Sequence, residues 1–181
     1  FQKYKDPKRL NGSQSEVPSL NISGNTYIVK GYQEYSIVNG SLRHNLPKIK
    51  IVSKIIRELP LTTPSVLDIG CSGGALLFDL VDKGVTTNVM GLDHDKPYID
   101  MIENVKCAHE KFSTVKTLQF SVGDDVSKIP PQDVVTCLSV IHWLYSCTSD
   151  FGSIEAIIQY LSTMVKEGGY LIMDFVMPDD G

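Results

Sequence analysis

Val66-Leu67-Asp68-Ile69-Gly70-Cys71-Ser72-Gly73-Gly74 runs from a short apolar segment into a glycine-rich turn, and Ala75-Leu76-Leu77-Phe78-Asp79-Leu80-Val81 follows as a helix closed by Gly84. Strand, glycine turn, helix is the local order in which doubly wound folds present backbone N–H groups and a helix N-terminus to a ligand. The alternation continues downstream. Residues 88–93 read as a second strand, 97–112 as a helix, 117–122 as a third strand, 133–140 as a fourth, 153–165 as a helix and 170–176 as a fifth strand after Gly168-Gly169. Strands alternating with helices of this length predict right-handed βαβ units, hence an α/β fold with a doubly wound, mostly parallel sheet covered on both faces.

Upstream of this stretch the texture differs. In residues 47–59 a proline stands early, and Ile51, Ile55, Ile56 and Leu59 follow the spacing of a buried helix face. Tyr27, Ile28, Val29, Tyr32, Tyr35, Ile37 and Val38 are read as a short strand or a lid. The first 25 residues are rich in Lys, Asn, Ser and Pro and lack an apolar period, so they read as a flexible basic arm. The expected organisation is thus an arm over 1–25, an N-terminal lid and helix over 26–60, and a ligand-binding core over 61–181.

The chain has 181 residues, 42% of them hydrophobic and 21% charged, which excludes a disordered or collagen-like chain and gives length for one sizeable core. No apolar run approaches the roughly 20 residues needed to span a bilayer, the best candidates being interrupted by Asp68 and Asp174. Cys71, Cys107, Cys137 and Cys147 form no C-x-x-C pair and have no histidine at metal-finger spacing, so buried free thiols, a reducing cytoplasmic setting and no metal are expected. The N-x-S triplets at Asn11, Asn21 and Asn39 are then chance. Charge is uneven: residues 1–60 hold ten Lys or Arg against four Asp or Glu, and residues 61–181 hold seven against seventeen. A basic front on an acidic body serves either an anionic partner or the body it packs on.

Asp68 discriminates among ligands for the glycine turn. A dinucleotide site presents this turn to an anionic pyrophosphate, which an extra carboxylate would repel. S-adenosyl-L-methionine has no phosphate and carries an ammonium and a sulfonium, so an acid there helps. A phosphate loop fails, because Gly74 is followed by Ala75-Leu76 rather than Lys and Ser or Thr. Asp93 ends the second strand 25 residues after Asp68, near the spacing at which an acid reaches a ribose diol. After the third strand, Gly123-Asp124-Asp125 offers an acceptor for an adenine amine, from either acid, with Asp124 the better placed.

On these motifs the sequence resembles the class I S-adenosylmethionine-dependent methyltransferases. Residues 66–74 look like their first motif, 88–93 their second and 120–124 their third. Residues 133–144 look like the strand and loop under the methyl donor, and 168–173 like the glycine turn and fifth strand. The resemblance spans about residues 48–177. It departs at Ser72, where the family usually has its second glycine, and at the end, where the family's sixth and seventh strands are expected either to be missing or to lie in residues beyond Gly181. It implies S-adenosyl-L-methionine as cofactor, with Asp68, Gly70, Cys71, Ser72, Gly74, Asp93, His94, Asp124, Asp125 and Ser139 lining its site.

The same resemblance puts the loop after the fourth strand at the acceptor mouth. His142 is the candidate base there, with Trp143 and Tyr145 as substrate walls, while Tyr32 and Tyr35 suit a lid that closes over the donor. That loop lacks the Asn/Asp-Pro-Pro-Tyr signature of amino-directed nucleic-acid enzymes, and the strand does not end in the Asp of the ribose 2′-O enzymes. The leading expectation is methyl transfer to a small-molecule acceptor. RNA is the alternative, since Lys30, Arg43, Lys48, Lys50, Lys54 and Arg57 interleave with Tyr27, Tyr32 and Tyr35. A non-catalytic scaffold of the same fold is the third reading.

Overall fold

The computed structural model describes residues 18–147 and 151–175, except for the side chains of Trp143, Ser146 and Cys147. Residues 1–17 of the expected arm, with the last residues of the chain, lie outside the described part. Nine strands occur among the described residues: β1 (Ser19–Ser23), β2 (Thr26–Lys30), β3 (Tyr35–Val38), β4 (Ser41–His44), β5 (Val66–Ile69), β6 (Val89–Asp93), β7 (Lys116–Gln119), β8 (Gln132–Cys137) and β9 (Val165–Met173). Five helices accompany them: α1 (Pro47–Glu58), α2 (Ala75–Asp82), α3 (Lys96–Ala108), α4 (Ile141–Cys147) and α5 (Ile154–Ser162).

Strands β5 to β9 form a parallel sheet in the order β7-β6-β5-β8-β9, the doubly wound arrangement expected from the alternation. The chain reverses direction across the sheet between β5 and β8, which opens a crevice at their C-terminal ends. Alternation along β5 sends Val66 to one core and Leu67 and Ile69 to the other. The first core is closed by α1, α2 and α3, and the second by α4 and α5 through Ile141, Leu144, Ile157 and Leu161. Among the described residues β9 forms one edge of the sheet. Its pairing with β8 shifts register between Gln132 and Val134. The strand therefore starts earlier than expected, and Gly168-Gly169 lie inside it rather than ahead of it.

The front of the chain is a second, antiparallel sheet in the order β1-β2-β3-β4, which corrects the reading of residues 18–25 as arm and gives Thr26–Lys30 and Tyr35–Val38 the strand form that was one of their two readings. Its last hairpin turns on Asn39-Gly40, both with positive φ (50° and 77°), the type I′ geometry that Asn-Gly favours between paired strands. This sheet packs on α2, so that Ala75 to Val81 are all buried, Asp79 among them, and only Asp82 is partly open. The Tyr35 ring lies tilted against Phe78 with centroids 5.9 Å apart, and His44 Nε2 meets Asp79 Oδ1 at 2.9 Å, with Lys83 on the other oxygen at 2.7 Å.

Helix α1 forms as expected but turns differently. Ile49, Val52, Ser53 and Ile56 face inward, whereas Ile51 and Ile55, expected in the buried stripe, are 59% and 41% exposed. The i, i+3, i+7 set fits the groove against α2, and the four isoleucines left the choice open. Cys71 and Cys137 are buried free thiols, but Cys107 is exposed, against expectation; the Cys147 side chain lies outside the described residues.

Candidate functional site

The glycine turn is shaped by what touches it. Gly70 has φ +72°, and a Cβ there would meet Val140 Cγ2 at 2.4 Å, so this glycine lets the turn after β5 lie against the loop after β8. Gly91 in β6 plays a matching part: a Cβ would strike Leu77 at 2.6 Å and the Cys71 sulfur at 2.7 Å, so the glycine seats α2 against the sheet. Both Gly70 N–H and Cys71 N–H donate to Leu92 O, at 2.8 and 3.0 Å. Cys71 itself is fully buried, so its side chain belongs to the core and only its backbone belongs to the turn.

Two carboxylates converge below this turn. Asp68 pairs across the sheet with Thr136 on one side and Gly91 on the other, and Thr136 Oγ1 donates to Asp68 Oδ1 at 2.6 Å. Burial pushes the Asp68 carboxyl up to about 7, against the Thr136 hydrogen bond and with help from the negative charge of Asp93. Asp93 ends β6 and accepts from Ser72 N–H at 2.8 Å and from Asp95 N–H at 2.9 Å. Burial raises its carboxyl too, although these two N–H groups oppose the shift. Ser72 sits in the left-handed region with φ +48°, and its buried hydroxyl has no hydrogen-bond partner among the described residues.

The remaining expected residues ring this centre at different depths. Gly74 caps α2 with φ +74°, and the first N–H of the helix, at Ala75, donates to Gln33 Oε1 at 3.1 Å. His94 is exposed, with Nδ1 3.5 Å from Asp93 Oδ1. Asp124 and Asp125 lie on the exposed turn after β7, where Asp124 Oδ2 accepts from Ser121 N–H at 2.9 Å. Asp125 accepts from both the N–H and the hydroxyl of Ser127, which hold its carboxyl below the usual range. Ser139 follows β8 with φ +57°, its N–H donating to Asp174 Oδ1 at 2.5 Å. His142 is half-buried on α4 and Tyr145 is exposed there; the Trp143 side chain lies outside the described residues.

The lid residues part company. Tyr35 is buried and its hydroxyl donates to Gly73 O at 2.6 Å, so it is a fixed post under the glycine turn rather than a lid aromatic. Tyr32 is 69% exposed, and its N–H donates to the Tyr98 hydroxyl at 3.1 Å. Thr136, Gln33 and Asp174 also stand beside the turn without having been expected there, whereas Lys48, expected only as an RNA-facing cation, reaches Ser139 and Asp174. Of the first three only Asp174, an acid just past an apolar strand, left a trace in the sequence.

Residues 67–171, more than half of the chain, match the family described as a methyltransferase domain. The chain belongs to that family. With it the chain belongs to the class I S-adenosylmethionine-dependent methyltransferase superfamily that its motifs resemble. Among solved structures it is similar to coclaurine N-methyltransferase bound to N-methylheliamine and S-adenosylhomocysteine, at a TM-score of 0.57 and 15% identity over 70% of this chain and 34% of that one. A S-adenosylmethionine-dependent methyltransferase from Thiobacillus denitrificans in complex with S-adenosylhomocysteine gives 0.51 and 22% over 71% and 48%. A U6 snRNA methylphosphate capping enzyme of Drosophila melanogaster, Amus, is 27% identical over 96% of this chain. The chain spans 59% of that relative's length.

The methyltransferase site fits S-adenosyl-L-methionine by its own chemistry. Asp68 and Asp93 set two buried carboxylates beside the glycine turn, an arrangement that favours a cationic ligand and disfavours a pyrophosphate. The orphaned Ser72 hydroxyl supplies a buried polar group in the same turn. Among the described residues no group of three or more His, Cys, Asp or Glu is placed to hold a metal, and no helix is long and apolar enough to cross a membrane.

Proposed function

We propose that this methyltransferase domain transfers a methyl group from S-adenosyl-L-methionine to the terminal phosphate of an RNA. The cofactor half rests on Asp68 and Asp93, converging at the switch point of the sheet. Asp93 presents its carboxylate to the ribose hydroxyls, Asp68 faces the cationic portion, and the turn backbone closes around the methionine group. When bound, the cofactor supplies an electrophilic methyl carbon on a sulfonium.

The acceptor half rests on one observation: similarity to the U6 snRNA capping enzyme runs over nearly the whole chain, beyond residues 67–171 and through the antiparallel sheet and α1. That front segment exposes Lys30, Arg43, Lys48, Lys50, Lys54 and Arg57, the cations an RNA backbone requires. A phosphate oxygen suits this site chemically. A terminal phosphate has a second pKa near 6, so its oxygen is already anionic at neutral pH. An O–CH3 bond forms as the S–CH3 bond breaks, and the electron pair passes to sulfur without any proton transfer. His142 is then required to orient the acceptor rather than to act as base.

Small-molecule methylation is the competing reading, since the Ile141-His142-Trp143 loop resembles those of enzymes acting on small molecules as well as on terminal groups of RNA, and a scaffold role is the third. Tritiated-methyl transfer to 5′-phosphorylated RNA, to the same RNA treated with phosphatase, and to a metabolite pool separates them. Label retained only on the phosphorylated RNA supports the proposal, and label confined to metabolites refutes it.

A further inference from the structure

Lys48 differs from the other cations of α1. Lys50 reaches Asn45 Oδ1 and Lys54 lies 3.9 Å from Glu58, both local partners on the same segment. Lys48 instead crosses to the parallel sheet, donating to Ser139 Oγ at 2.5 Å and to Asp174 Oδ2. Asp174 Oδ1 also takes the Ser139 N–H. One ammonium and one carboxylate thus join the start of α1, the loop after β8 and the end of β9. This is the strand-end face onto which His142 follows.

The pair is poorly placed to be mere glue. The Lys48 and Asp174 side chains are 48% and 31% exposed, and ion pairs so wetted contribute little to stability. Partial burial would raise the Asp174 carboxyl, but the hydrogen bonds from Lys48 and from Ser139 N–H outweigh it and hold the group below the usual range. The Ser139 backbone is left-handed, a conformation that costs energy in a non-glycine residue and here is fixed by its N–H bond to Asp174. A loop held in this shape keeps its bond to Asp174 even when Lys48 exchanges partner.

We propose that Lys48 is the anion-binding residue of the acceptor site, held by Asp174 until the terminal phosphate of an RNA takes its ammonium. The proposal rests on the acceptor reading given above. A terminal phosphate carries nearly twice the charge of a carboxylate and three acceptor oxygens, so it competes for the same ammonium. Lys48 then fixes the nucleophilic oxygen at the strand ends, where the methyl donor is presented.

The test is fluorescence anisotropy of a 5′-phosphorylated single-stranded RNA and its 5′-hydroxyl twin, with saturating S-adenosylhomocysteine, on wild type, Lys48→Met, Lys48→Arg and Asp174→Asn. Losing one charge-assisted contact should cut a phosphate preference of roughly tenfold or more to about twofold or less in Lys48→Met, with Lys48→Arg retaining it. Because Lys48 and Asp174 both bond Ser139, which is expected to line the cofactor site, S-adenosylhomocysteine is held saturating for each variant according to that variant's own measured affinity, so that only the phosphate preference is compared. Asp174→Asn frees the ammonium while Asn can still accept the Ser139 N–H, so it should bind the phosphorylated RNA more tightly. A preference intact in Lys48→Met overturns the Lys48 assignment alone. No preference in wild type overturns the terminal-phosphate reading and Lys48 with it. If Lys48→Met does not fold, Asp174→Asn decides, and affinity unchanged or weakened there overturns the proposal.

Discussion

Asp68 gives the site its pH dependence. Its carboxyl lies at about 7 in the folded chain and near the ordinary carboxylate value when unfolded. Between roughly pH 4 and 7 the folded state therefore holds a proton that the unfolded state has released, and this contribution to stability is lost as pH rises through 7. Cofactor binding runs the other way, because the cationic ligand selects the ionised form. Affinity for S-adenosylmethionine should weaken by up to about tenfold per pH unit below 7, with close to one proton released per binding event. Calorimetry in two buffers of different ionisation enthalpy measures that release directly. Gly70 gives a second expectation: in Gly70→Ala the new methyl meets Val140 at a positive φ, so the substitution should destabilise by about 2 kcal/mol or more, read as a fall in urea midpoint.

The element that most alters the expected picture is the antiparallel sheet. Tyr35 of β3 suited a lid over the donor, yet Tyr35 and Ile37 are buried and the Tyr35 hydroxyl donates to Gly73 O. Amide exchange over residues 35–38 should be slow both with and without S-adenosylhomocysteine. Any ligand-dependent protection should be confined to the loop around Gln33, whose side chain caps α2. Tyr35→Phe removes one buried hydrogen bond and should cost about 0.5–1.5 kcal/mol in denaturant melts. The sheet is also tied to α2 through His44 and Asp79. Burial would raise the Asp79 carboxyl, but hydrogen bonds from Lys83, His44 and Ser53 outweigh it and lower the pKa. The resulting stability is present above the ordinary carboxylate value and is lost as pH falls through the lower folded value, a dependence that should shrink in Asp79→Asn.

Across the whole molecule, the parallel sheet was legible because its central strands β5, β6 and β8 are mostly apolar, bounded by turn residues and followed by helices, and because Asp68, Gly70 and Asp93 stand at or just past strand ends. The second sheet was not, since its strands are short and half polar and their residues satisfy a strand or a loop equally well. The Asn39-Gly40 turn was the available signal. Lys48 and Asp174 are 126 residues apart and meet only through the fold, as do Gln33 and Ala75. No local pattern encodes such pairs. On the proposed reading, the crevice at the ends of β5 and β6 holds the cofactor through Asp68 and Asp93. Isothermal titration of S-adenosylhomocysteine into wild type and Asp93→Ala tests it most directly. Saturable one-to-one binding in wild type, weakened in the variant by roughly 1.5–3 kcal/mol, or about 10- to 150-fold, is the expected result; absence of binding in wild type, or equal affinity in the folded variant, contradicts it.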